Sequence, residues 1–454
     1  MNLTLPSQYQ SFLPRFYKLA SISVFSNMMV PLAGLCDSAF LGHLNDLRYL
    51  AGVILATILF DYLYRILKFL RTSTNAITSE AVGREDNKDI LLAALRSGAI
   101  ALAIGFAILL LQYPIQKLGF AILGGSSTIE ASGIEYFNAR ILGAPAVLLN
   151  FVLIGWFLGR EKNFIVLLMS LVANISNVAL DYVFIYRWQW ASTGAGLATA
   201  ISQILALLVA LIAVGLSINW KDIPVAIADF FDRQALKATI ALKGNILIRF
   251  LVLISTYSIF TNLSAVIGTN ILVENGLLLQ IALLSQFSIQ GIGMTVQTLI
   301  GNFKGKGETE KILPVFIVAT LHSIPIALIF ASVSFFFPET VFGLLTNSSE
   351  ISASINSYTP WLFPLLVSTA IAFMLEGYFI GLKQGRQIRN SVLTAFGLGF
   401  LPLALYAWSI MSAHLLWAAL TLYMLTLIFT LGVQVNVQKL FLASEENVVA
   451  QGEG

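Results

Sequence analysis

Apolar stretches long enough to cross a bilayer recur along almost the whole of this 454-residue chain, separated by short polar turns. A spanning helix needs roughly 20 predominantly apolar residues. On that measure the pattern predicts twelve spans, near 16–41, 50–80, 90–113, 131–158, 163–187, 193–217, 240–267, 276–303, 311–337, 351–382, 389–412 and 415–442. Several exceed the minimum length, which allows tilt or extension beyond the bilayer. One longer polar connection, NWKDIPVAIADFFDRQALK, falls almost at the midpoint. It combines a proline, an acidic–aromatic stretch and an amphipathic tail, and reads as a cytoplasmic linker carrying an interfacial helix. The predicted organisation is a six-helix half over 1–217, a linker over 218–239, a second six-helix half over 240–442 and a polar tail over 443–454, expected to be disordered.

Composition narrows the class. The chain is 57% hydrophobic and 11% charged, where a soluble domain carries about 25% charged residues. It is therefore an all-α polytopic membrane protein. A β-barrel is excluded, because barrel strands are short and alternate polar with apolar positions. The net charge of +3 is spread over loops, with no basic stripe interleaved with aromatics, so no nucleic-acid partner is expected. Cys36 is the single cysteine, which excludes an intramolecular disulfide and a thiol metal cluster. The N-terminus lacks a cleavable secretory pattern, and the first span is expected to act as the insertion signal. Arg15, Lys18, Arg84, Lys88, Arg160, Lys162, Lys243, Lys304 and Lys383 mark one set of helix ends, whereas the other carries little beyond Arg48, Lys117 and Arg187. Basic residues favour the cytoplasmic side, which places both termini there, in keeping with an even number of spans.

The halves repeat. Gly155-Trp156-Phe157-Leu158-Gly159 before Arg160 matches Gly377-Tyr378-Phe379-Ile380-Gly381 before Lys383. Gly83 and its charged loop read as the counterpart of Gly301-Asn302-Phe303-Lys304. An even number of spans per half gives both halves one orientation, a parallel repeat suited to alternating access by rocking two bundles.

Ionisable groups inside apolar runs mark pathways, relays or ion sites, because burying them in a bilayer is costly. Asp37 and Asp181 are such groups, and no aspartate occurs after Asp232. Asp37 follows a charge-free run and Pro31; it either faces a central cavity or is solvated at a helix end. Asn174, Asn177 and Asp181 share one helical face by their i, i+3, i+7 spacing. That face is either a functional cluster or interhelical packing glue. Thr199, after the small residues Gly194 and Gly196, can either join Asn177 and Asp181 around a cation or serve close packing. Carboxylate, amide carbonyl and hydroxyl oxygens suit a hard cation. Asp61 and Arg65 are spaced for an i,i+4 pair. Gln290 and Gln297 lie one face apart and can line a cavity; Glu376 reads as a structural ion-pair member. His43, His322 and His414 form no ligand set, and no phosphate-binding loop is present.

Several segments resemble one family. Cys36-Asp37-Ser38-Ala39-Phe40-Leu41-Gly42-His43-Leu44 resembles the first-helix motif of the MATE (multidrug and toxic compound extrusion) transporters, in their DinF-like branch. Phe69-Leu70-Arg71 with Thr74-Asn75-Ala76-Ile77-Thr78 resembles the second-helix motif, and Asn177, Asp181 and Gly194 to Ala200 resemble the fifth- and sixth-helix signature. Glu376-Gly377, Gly381 and Arg389-Asn390 resemble the matching region of the second half. The resemblance covers roughly 15–440. It implies twelve helices in two pseudo-symmetric six-helix lobes and cation-coupled export of hydrophobic or cationic compounds, not an enzyme. It also implies that Asp37, Asn177, Asp181 and Thr199 form the coupling site for H+, or for Na+ as a bound metal ion. Family members often carry an acid where Gln290 stands, Gln where Glu80 stands and Thr-Gly where Asn75-Ala76 stands. The first departure places coupling in the first lobe. No cofactor is expected beyond the coupling ion. The expected partners are a small-molecule substrate and the lipid bilayer of a bacterial inner membrane, with a monomer as the working unit. A lipid-linked oligosaccharide flippase and a citrate-like organic-anion exporter are the alternatives.

Overall fold

The computed structural model describes residues 11–42, 46–124, 126–343 and 354–452, and the side chains of all of these but 30–42, 47 and 436–452. The chain is helical throughout, with no strand among the described residues. Lipid leaves no water to satisfy free N–H and C=O groups, so spanning segments close their hydrogen bonds within each helix.

The first half contains α1 (Leu13–Gly42), α2 (Leu47–Leu67), α3 (Phe69–Gly83), α4 (Asn87–Leu110), α5 (Gln112–Leu123), α6 (Ser127–Ile141), α7 (Ala144–Gly159), α8 (Asn163–Asp181) and α9 (Ala191–Ser217). Side chains start two of them. The Asp46 carboxylate accepts the Arg48 N–H at 3.0 Å, and Asp86 accepts that of Asp89 at 2.9 Å, each filling one orphan donor of a first turn. α10 (Asp222–Ala228) lies in the linker. The second half contains α11 (Arg233–Ile267), α12 (Thr269–Lys306), α13 (Ile312–Phe336), α14 (Pro338–Gly343), α15 (Leu362–Gly381), α16 (Gly385–Thr394), α17 (Leu401–Ser409) and α18 (Ala413–Gly452).

Among the described residues ten helical segments are long and apolar enough to cross a membrane, and the pair α6 and α7, bent by 54°, makes an eleventh. Ahead of them runs the 30-residue α1, so the twelve predicted spans are present in order. The bend falls at Leu142–Gly143, just before Pro145, which cannot donate to the preceding turn. α4 passes so close there that a Cβ on Gly105 would meet the Pro145 backbone at 2.7 Å.

Helix ends differ from the hydropathy reading. Span seven begins at Arg233, seven residues before the expected 240. The last helix is drawn as far as Gly452. In the linker, α10 rests on α4 through Ala226 against Leu91 and Leu92. Arg96 donates to the Phe230 carbonyl at 3.0 Å, and Lys88 reaches the Asp229 carboxylate at 2.6 Å. That ammonium holds the Asp229 carboxyl below its usual range.

The repeat is visible in the backbone. Among the described residues six non-glycine residues have a left-handed φ, including Glu85, Glu161, Gln189, Lys383 and Met411, and Gly307 joins them. Glu85 pairs with Gly307, Glu161 with Lys383 and Gln189 with Met411, each pair 222 residues apart. The glycine contacts keep the same offset. A Cβ on Gly155 would meet the Arg71 carbonyl, and one on Gly377 would meet the Gly293 carbonyl; Gly159 faces the Asn75 carbonyl and Gly381 that of Gln297. This register corrects one sequence pairing: Gly83 corresponds to Gly305, and Gly301 corresponds to Ser79.

Two compact units emerge. The first comprises 1–247 with 297–312 and 381–383, and the second comprises 248–296, 313–380 and 384–454.

Candidate functional site

Asp181 is the last residue of α8, immediately before a π-helical turn over Tyr182–Arg187. It is 0% exposed, and Asn177 one turn earlier is 4% exposed. α8 packs along α1 and α9. Asn163, near the start of α8, donates to the Leu19 carbonyl at 3.1 Å and to the Ser23 hydroxyl at 2.9 Å of α1. Small residues bring α9 in: Gly196 lies against the Tyr136 carbonyl and Gly194 against Phe184. Phe184, Trp188 and Trp190 then stack at centroid separations of 4.8–5.3 Å. The sequence thus builds a buried carboxylate and amide on one helix and small residues on the next.

The other expected residues fall in different places. Thr199 is half-buried in α9, and its hydroxyl donates to the Ala195 carbonyl at 3.1 Å. Asn174 is half-buried, with its amide turned to the Ser170 carbonyl at 2.7 Å. Asp37 belongs to α1, and its side chain lies outside the described residues. Asp61 is exposed and Arg65 half-buried, and no ion pair joins them among the described residues, which corrects the expected i,i+4 pair. Spacing permits such pairs, but ordering two long side chains offsets most of their attraction.

Gln290 is half-buried in α12, whereas Gln297 donates to the Thr72 carbonyl at 2.7 Å and binds α12 to α3. Glu376 accepts both arms of the Arg249 guanidinium, the Nε contact at 2.8 Å, with both side chains buried. This carboxylate is neutralised inside the protein.

Three features were missed in the sequence. Lys243, counted among the loop cations, is 3% exposed and donates to the Ser73 and Thr74 hydroxyls at 3.0 and 3.4 Å. Its signal was the helix start: with α11 beginning at Arg233, position 243 lies nearly three turns inside. Arg71 donates to the Asn27 side-chain amide oxygen (Oδ1) at 3.1 Å. Glu80 gathers Arg84, Lys304 and Lys383, two of them from the second half. Arg84 lies one helical turn on from Glu80 and was within reach of the i,i+4 rule, whereas no spacing rule links Glu80 to Lys304 or Lys383. Among the described residues, no group of three or more His, Cys, Asp or Glu is placed to hold a metal ion.

Twelve spans in two copies of one design, with a buried carboxylate in the first, define an internally duplicated helical transporter rather than an enzyme. The MatE family model matches residues 23–183 and 245–405, two segments offset by the same 222 residues, and the chain belongs to the MatE family of multidrug efflux transporters. DNA damage-inducible protein F of Escherichia coli (strain K12) is 31% identical over 408 residues, covering 90% of this chain and 88% of that protein. Multidrug export protein MepA of Staphylococcus aureus is 24% identical over 186 residues, 41% of each chain. Among solved structures, a MOP superfamily transporter from Pyrococcus furiosus superposes with a TM-score of 0.82 at 19% identity, covering 94% of this chain and 95% of that one.

Proposed function

We propose that this protein is a cation-driven antiporter that exports amphipathic or cationic organic compounds by alternating access. It sits as a monomer in a bacterial inner membrane with both termini in the cytoplasm. The observation that carries this reading is Asp181, a wholly buried carboxylate beside Asn177. An ionisable group enclosed among spanning helices is costly and marks an ion or proton site. Such a site can hold a proton or sodium ion in exchange for substrate. Asp37 and Thr199 are the remaining members of the set, and no cofactor enters. The name of the Staphylococcus relative, a multidrug export protein, supports the substrate class.

The test is efflux from proteoliposomes under an imposed pH or sodium gradient. Asp181→Asn and Asp37→Asn are each expected to abolish gradient-driven efflux, by at least about a hundredfold if the carboxylate is the ion ligand. Gradient-driven efflux that persists in both variants overturns the assignment. A second reading, export of an organic anion, is favoured by Arg71 and Lys243, whose hydrogen bonds run to an amide and two hydroxyls. Parallel assays with a cationic dye and with citrate separate the two.

A further inference from the structure

We propose that the crossing of α3 with the end of α12 is the gate that closes the transport path on the side bearing the basic loops, and that Glu80 is its latch. This rests on the alternating-access reading above.

The crossing lies on the internal two-fold axis. Ser79 and Gly301 are counterparts in the repeat, and they touch each other; Gly83 and Gly305 are counterparts and also touch. A Cβ on Gly83 would meet the Asn302 carbonyl, and one on Gly305 would meet the Glu80 carbonyl, again a symmetric pair. Residues that meet their own equivalents mark a two-fold contact. A path running along that axis is therefore blocked here by backbone against backbone. Asn75, Thr78 and Ser79 around it are fully buried. Polar contacts zip the same seam: Thr298 donates to the Asn75 side-chain oxygen at 3.0 Å, next to the Gln297 bond to Thr72.

The charges do not share the symmetry. Glu80 is 9% exposed. Its Oε2 receives Lys383 at 2.9 Å and Lys304 at 3.3 Å, and its Oε1 receives Arg84 at 3.0 Å. Lys304 also donates to the Leu382 carbonyl at 3.0 Å, which fixes the loop that carries Lys383. The counterpart of Glu80 is Asn302, so the second repeat has no carboxylate at that place. One carboxylate thus holds three cations, two of them from the second half. Neutralising it removes the charge-assisted bonds and leaves the cations facing one another, so the closed crossing is weakened twice over.

The test uses the full-length protein with Cys36→Ser and a reporter, Ser79→Cys, in inside-out vesicles exposed to a membrane-impermeant maleimide. With Glu80 intact, labelling is expected to be slow. Glu80→Gln and Lys383→Gln are each expected to speed it by at least about tenfold, the size of a lost charge-assisted hydrogen bond, and Glu80→Asp is expected to fall between. Monodispersity and the melting temperature are measured on the same samples. If Glu80→Gln is misfolded, Lys383→Gln decides the matter. Folded variants that label at the parent rate overturn the latch, as does faster labelling from right-side-out vesicles. Glu80-dependent labelling in a protein that moves no compound under either gradient would overturn the coupling reading alone.

Discussion

Arg249 and Glu376 meet across two helices in the second unit, 127 residues apart in sequence and joined by a two-armed contact. Each is the other's charged partner, so removing one strands a buried ion. Glu376→Gln is expected to lower unfolding stability by about 3–5 kcal/mol, while Arg249→Met with Glu376→Leu should fall within about 1 kcal/mol of the parent or above it. Denaturant or thermal unfolding in detergent measures both. Of this pair the sequence disclosed Glu376, an acid in an apolar run that read as an ion-pair member, and not its match: a partner 127 residues away carries no local signature. Asp181 and Asn177 were legible, because helical spacing alone places them on one face. Lys243 was not, because hydropathy started its span at 240 and the helix starts at Arg233.

At the scale of elements, glycine decides which helices touch. Gly155 brings α7 against α3 and Gly377 brings α15 against α12, in the same register of the repeat. Alanine at Gly155 puts a methyl group closer than 3.0 Å to the Arg71 backbone, which has no rotamer with which to yield. Gly155→Ala is expected to cost about 1–3 kcal/mol, as overpacked sites do. Gly276→Ala, whose Cβ would meet nothing within 4 Å in α12, should stabilise by up to about 1 kcal/mol. Melting temperatures of the two variants in one detergent check the contrast. The small-aromatic-small motif announced these helices in the sequence. The register of the other pair, Gly83 with Gly305, was hidden, since Gly301 lies one helical turn away on the same face and offers an equal match by eye.

For the whole molecule, the order of spans was legible because each crossing segment must be apolar along its own length. The bend between α6 and α7 was not: its two arms read as one run, although Pro145 stood in the middle of it. Nor did the hydropathy midpoint anticipate that 297–312 and 381–383 fold with the first unit. Those two segments supply Lys304 and Lys383 to Glu80.

That uneven sharing of charge has a bearing on which halves can pair. A first half paired with a second copy of itself would set Glu80 against the counterpart of Lys383, which is Glu161, acid against acid. A second half paired with its own copy would set Lys383 against Asn302, with no acid to receive it. The seam therefore favours pairing between unlike halves over pairing of either half with its own copy. Pieces 1–232 and 233–454, cut before α11 and coexpressed, are expected to copurify one to one. Recovery of the first piece mainly as a pair with itself would contradict that preference.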